Sequence, residues 1–129
     1  MVDALGDLSQ EQTARVVAVA MDLARQGRTE ELIEFFDHGL PVDARDPDGN
    51  TALMLAAYHG HLATVGALIE RGADLDLPND RGQAPIAGAI FKGEDEVVVA
   101  LRDAGADLDA GLPTARATAE MFGRSHLMC

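Results

Sequence analysis

Two interleaved glycine series narrow what this chain can fold into. Gly27, Gly60 and Gly93 form one, Gly39, Gly72 and Gly105 the other, and both advance by 33 residues. Side chains keep the same phase: Leu32, Val65 and Val98; Phe35, Leu68 and Leu101; Val42, Leu75 and Leu108; Asp43, Asp76 and Asp109. The segment Ala73-Asp74-Leu75-Asp76 returns unchanged as Ala106-Asp107-Leu108-Asp109. A unit this short cannot bury its apolar face alone and needs neighbours of the same kind, so the period predicts a solenoid.

Within a unit, Thr51 to His59 reads as a short helix closed by Gly60, with the Thr51 hydroxyl placed to accept a bond from a free first-turn amide. A second helix begins near Leu62, sets Val65, Leu68 and Ile69 on one face, and stops at Gly72. Ala56 and Ala57 are small enough for close helix approach. The stretch from Ala73 to Gly82, rich in Asp, Asn, Pro and Gly, reads as an extended link and a tight turn.

The string Asp46-Pro47-Asp48-Gly49-Asn50-Thr51-Ala52-Leu53, then Ala56-Ala57-Tyr58-His59-Gly60-His61, Val65, Leu68-Ile69 and Gly72-Ala73-Asp74 resembles the ankyrin repeat from its turn to its second helix. The resemblance implies an all-α ankyrin-repeat solenoid of about four helix-turn-helix repeats with modified end caps, one domain over residues 1–129. The repeats fall at about 10–45, 46–78, 79–111 and 112–125. In the last, Thr114-Ala115, Ala119 and Gly123 fit the first helix once three linker residues are deleted. Short turns are expected to project near Asp48-Gly49 and Arg81-Gly82.

The departures from the pattern have physical readings. Repeat two has the Thr51 cap but Ala52 where the family carries proline, whereas repeat three has Pro85 at the first helical position and Ala84 in place of a capping hydroxyl. Gly88 inside that helix costs about 1 kcal/mol relative to alanine, and a missing cap about 1 kcal/mol more. Repeat three is therefore expected to be the softer unit, and Gly88→Ala to stabilise it provided the glycine meets no packing need. At the start, Ser9 and Gln12 form a capping box for one long helix reaching Gln26, with Val16, Ala20, Leu23 and Ala24 inward and Glu11, Arg15, Asp22 and Arg25 mostly outward.

Composition excludes several classes of partner and chemistry. With 22 acidic against 10 basic residues the net charge is -12, which repels nucleic acid and anionic lipid, so neither a nucleic acid nor a membrane is expected as a partner. Cys129 is the only cysteine, so no intrachain disulfide and no four-thiolate zinc site can form. Met1 to Gln10 lacks a basic start and a long apolar run, and no stretch reaches the roughly 18 apolar residues of a membrane span. A monomer in the reducing cytoplasm is the expectation.

Chemistry-bearing residues are sparse. His59 and His61 flank Gly60 but no third ligand is tied to them, so no metal or cofactor is expected. Asp43, Asp76 and Asp109 recur once per unit, which suits turn shaping by local backbone bonds. Glu94-Asp95-Glu96 opens a helix where carboxylates meet the positive end of its dipole. No nucleophile elbow, phosphate loop or metal signature is present, and no enzyme activity is expected.

The family resemblance implies a protein partner held on the concave side. The two residues before each closing glycine face that side in the family pattern: Arg25 and Gln26, Tyr58 and His59, Phe91 and Lys92. Asp48, Asn50, Arg81 and Gln83 stand at turn positions that match the family's variable contacts. Tyr58 and Phe91 are candidate anchors, with mutual packing across adjacent helices as the alternative. A second function class is self-association through the last repeat, where Met121, Phe122, Leu127 and Met128 supply apolar side chains.

Overall fold

A computed structural model describes residues 8–129, and within them every regular element is helical. The reading of the first ten residues as free of an export signal falls mostly on residues 1–7, outside the described part. Helices α1 (Gln10–Gln26), α3 (Ala52–Tyr58), α5 (Pro85–Phe91) and α7 (Ala115–Met121) form one layer, and α2 (Thr29–Asp37), α4 (Leu62–Glu70) and α6 (Asp95–Asp103) form the other. In place of an eighth helix the chain makes a single 3-10 turn, Ser125–Met128. The fold is thus the expected solenoid, three helix pairs and a shortened fourth.

The ends of these helices follow from their sequences. Ser9 and Gln12 form the capping box of α1, with the Ser9 hydroxyl accepting from the Gln12 amide and the Gln12 side chain accepting from the Ser9 amide. Thr51 caps α3 through Met54 N and Thr114 caps α7 through Ala117 N, while Ala84 gives α5 no side-chain cap and Pro85 fills its first turn.

The core runs through the stack between the layers. Leu32, Val65 and Val98, one per repeat, are fully buried, as are Leu68 and Leu101. The short helices α3 and α5 are buried along nearly their whole length, because each is covered by first-layer helices on both sides and by its own second helix below. The long α1 covers the open end of the stack with one face only, burying Val17, Ala20, Met21, Leu23 and Ala24. Val17 and Met21 therefore carry more of that face than the half-buried Val16. At the other end Leu127 and Met128 turn into the core, so of the four apolar residues considered for self-association only Met121 and Phe122 stay on the surface.

The first glycine series has a second reason beyond chain reversal. Gly27, Gly60, Gly93 and Gly123 all hold φ between 69° and 74°, a left-handed conformation that glycine adopts without a β-carbon penalty. The residue after each closing glycine then lies over the glycine of the preceding repeat: His61 on Gly27, Glu94 on Gly60 and Arg124 on Gly93. A β-carbon at Gly27 or Gly60 would occupy the space of those side chains. His61 Nε2 donates to the carbonyl of Arg25 at 2.6 Å, since a carbonyl can only accept, and so joins repeats one and two.

The recurring aspartates differ from the sequence expectation. Asp43 Oδ1 accepts from Asp74 N at 2.9 Å and Asp76 Oδ1 accepts from Asp107 N at 2.7 Å, so these side chains clasp successive repeats. Local turn shaping belongs to Asp74 and Asp107, which accept from the amides of Asp76 and Asp109 two residues on. Asp109 has no further full repeat to hold and pairs with Arg116 at 3.2 Å. A linear reading sees only bonds within reach along the chain; the stacking brings a backbone amide 31 residues away closer.

Candidate functional site

The first-layer helices pack on one another more closely than the second-layer helices do, and a groove opens along their side of the stack. Two turns rise beside it. Asp46 Oδ1 accepts from the amides of Asp48 and Asn50, and one repeat later Asn79 Oδ1 accepts from Arg81 and Gln83. Asp80 N donates to the Asp48 carbonyl at 3.0 Å and Asn79 Nδ2 to Asn50 Oδ1 at 3.0 Å, so the turns are tied side by side.

Between the turns and the helix ends lies an open groove of about 570 Å³. Of the ten candidate residues, Arg25, Asp48, Asn50, Tyr58, His59, Arg81, Gln83 and Phe91 line it. Gln26 does not, and Lys92 stands at its edge with Nζ 5.0 Å from the centre of the Tyr58 ring, a cation over an aromatic face. Asn50 also serves the fold through its bond to Asn79, so its position is fixed before any ligand arrives.

An aromatic row runs from the groove, which His59, Tyr58 and Phe91 line, to Phe122 beyond it. Tyr58 and Phe91 stack with centroids 6.4 Å apart and planes 15° apart, and Phe91 meets Phe122 edge-on at 5.5 Å. Mutual packing and availability coexist, because Phe91 remains 52% exposed and Phe122 44%. The row starts at His59, whose ring meets Tyr58 edge-on at 5.4 Å. Burial, then the neighbouring charges of His61, Lys92 and Arg25, lower the His59 pKa below its ordinary value.

Met54, Leu55, Asn79, Asp80, Leu112 and Pro113 also line the groove and were not apparent from the residue pattern. Leu112 and Pro113 get there because the glycine step shortens to 30 between Gly93 and Gly123. The third turn is consequently cut short, and Leu112 N bonds the Gly82 carbonyl at 2.9 Å, beside Arg81. That irregular step is the sequence signal that could have found them.

Electrostatics single out two residues. Among the described residues, seven of the ten basic side chains form ion pairs with acids of the chain, Arg71 with Asp37 and Arg25 with both Asp22 and Asp46 among them. Arg45 donates to the Pro78 carbonyl. Arg81 and Lys92 have neither kind of partner among the described residues, and both stand at the groove. His59 and His61 stack at 6.4 Å, but the Nε2 of His61 is engaged with Arg25.

A stack of helix pairs with a groove along one helical layer and a row of turns beside it defines a helical-repeat scaffold. A family model of ankyrin repeats in three copies matches residues 20–111. The chain belongs to the ankyrin-repeat family. A Pseudomonas aeruginosa protein described as an ankyrin repeat protein is 44% identical over 54 residues, 42% of this chain and 32% of that protein. Acyl-CoA-binding domain-containing proteins 1 and 2 of Arabidopsis thaliana are 42% identical over 50 residues and 41% over 51, covering 39% and 40% of this chain. Those stretches are 15% and 14% of the plant proteins, so the chain corresponds to a minor part of each relative. Ankyrin repeats generally mediate binding between proteins.

Proposed function

We propose that this chain is a non-catalytic adaptor or regulator that holds a partner protein in the groove between its turns and first-layer helices. The observation that carries this reading is the half-exposed Tyr58–Phe91 pair, set on a helical floor beside two cations without acidic partners among the described residues. Aromatic rings on a fixed backbone bury large area with little loss of side-chain freedom, which suits them as interface anchors. The turn residues Asp48, Arg81 and Gln83 supply a polar rim around that centre. The chain works as a monomer in this reading, in the reducing cytoplasm that suits its single exposed cysteine.

Site-specific photocrosslinking in the native cell tests the proposal. A photoreactive residue in place of Gln83, in the groove, is expected to yield a discrete protein adduct, whereas one in place of Glu96, on the outer helix α6, is not. Equal labelling from both positions, or adducts from Glu96 alone, would move the contact surface elsewhere. Light scattering of the purified chain distinguishes self-association: a concentration-dependent dimer abolished by Met121→Ser would replace the partner reading with the structural one.

A further inference from the structure

The groove is not uniform, and its two ends differ in chemistry. Its N-terminal side carries Asp48, and Asp80 folds back over Gly49 on the turn rim. Its C-terminal side carries Arg81, Phe91 and Leu112, the last 79% exposed on the shortened third connection, with Lys92 at its edge over the Tyr58 ring. A full-length third turn would rise at Leu112; its loss leaves this end open to an approaching chain.

Charge matching points to what fits there. The chain carries -12 overall, so its cations are strongly expected to be paired, and among the described residues seven of ten are paired with its own acids. Arg81 and Lys92 are the two with no acceptor among the described residues, and each adjoins an exposed apolar residue: Lys92 follows Phe91, and Arg81 precedes Gly82, whose carbonyl accepts from Leu112 N. The net negative charge of the chain repels an acidic ligand, and these two cations offset that repulsion at this point, which supplies both orientation and selectivity.

We propose that the C-terminal half of the groove receives an acidic segment of a partner protein carrying one apolar or aromatic anchor residue, the anchor set against Phe91 and Leu112 and flanking carboxylates against Arg81 and Lys92. This rests on the groove reading above and narrows it to one chemistry. The exposed part of the Phe91 ring and the Leu112 side chain take the anchor, and the guanidinium of Arg81 offers a planar pair of donors to a carboxylate. Lys92 engages a second carboxylate while its ammonium still rests on the Tyr58 ring.

Nuclear magnetic resonance titration of the labelled chain tests it with three capped synthetic peptides: Glu and Asp residues around a central Phe, the same acids around a central Ser, and Lys residues around a central Phe. The acidic Phe peptide is expected to shift the amides of Arg81, Phe91, Lys92 and Leu112 saturably. The Ser and Lys peptides should bind about tenfold more weakly or worse, and the affinity of the acidic Phe peptide should fall with added salt. The variant Arg81→Glu with Lys92→Glu, both exposed, should remain folded with only the small loss that the Lys92–Tyr58 contact accounts for, and reverse the preference toward the Lys peptide. Tighter binding of the Lys peptide to the natural chain, equal binding of the Ser peptide, shifts on another surface, or no saturable binding overturns the proposal. If Gln83 crosslinks a partner while the acidic Phe peptide fails, the groove reading stands and the acidic chemistry falls; if Gln83 captures nothing, the groove reading falls by itself.

Discussion

The terminal methyl of Met54 lies 2.7 Å from the place a β-carbon on Gly88 would take. A β-carbon there would have to push aside only the end of a flexible side chain, though a buried one, so the gain from Gly88→Ala is reduced by the cost of moving that methyl. Replacing the glycine gains about 1 kcal/mol of helix propensity but forces the Met54 methyl aside. Gly88→Ala alone is expected to change stability by less than that full gain. In a Met54→Ala background, where the methyl is gone, the same substitution should recover it, and urea unfolding of the four proteins of the cycle measures the coupling.

The missing cap of α5 is unaffected by that contact. Thr51 gives α3 a hydroxyl acceptor for Met54 N, and Ala84 gives α5 none. Hydrogen exchange at native conditions should be faster for the amides of Pro85–Phe91 than for those of Ala52–Tyr58, since a repeat stack opens locally from its weaker unit. Ala84→Thr should slow exchange in α5 by restoring about 1 kcal/mol of capping.

Asp76→Ala removes the acceptor that holds the amide of Asp107 in the next repeat. The expected loss is about 1 kcal/mol, that of one charge-assisted hydrogen bond at a partly exposed site. Asp109→Ala removes only an exposed ion pair with Arg116 and should lose about 0.5 kcal/mol or less. Chemical unfolding of both variants separates the clasp from simple charge removal, because each deletes one carboxylate.

The double change Tyr58→Ala with Phe91→Ala tests the aromatic floor. Partner binding is expected to weaken at least about tenfold, which corresponds to about 1.4 kcal/mol. The rings also stack on each other, so a stability loss of about 0.5–1.5 kcal/mol accompanies it. Normal binding, or binding lost only in step with unfolding, would assign the rings to packing alone.

Acidification should cost stability through His59. Burial and the charges of His61, Lys92 and Arg25 hold its folded pKa below the ordinary 6.5, so the fold favours the neutral ring. The unfolded chain then binds more protons as pH falls: this contribution is present above 6.5 and is lost as pH drops through 6.5 toward the lowered folded value. His59→Gln removes the difference, and its melting temperature should fall less than that of the natural chain between about pH 7.5 and about pH 5.

The repeat length, the helix pairs, the capping residues and the ends of α1 were all legible from the linear sequence. Each depends on chemistry within a few residues: a hydroxyl three places from an amide, a glycine where φ must be positive, apolar residues at helical intervals. The period itself adds the stacking rule, because identical units present identical faces. What the tertiary structure alone decided lies between repeats. Asp43 and Asp76 became clasps, Gly88 became a seat for Met54, Leu127 and Met128 went into the core, and Leu112 joined the groove. For Asp43, Asp76, Gly88 and Leu112 the deciding partner stands about one repeat away in sequence, and only stacking fixes which atoms meet.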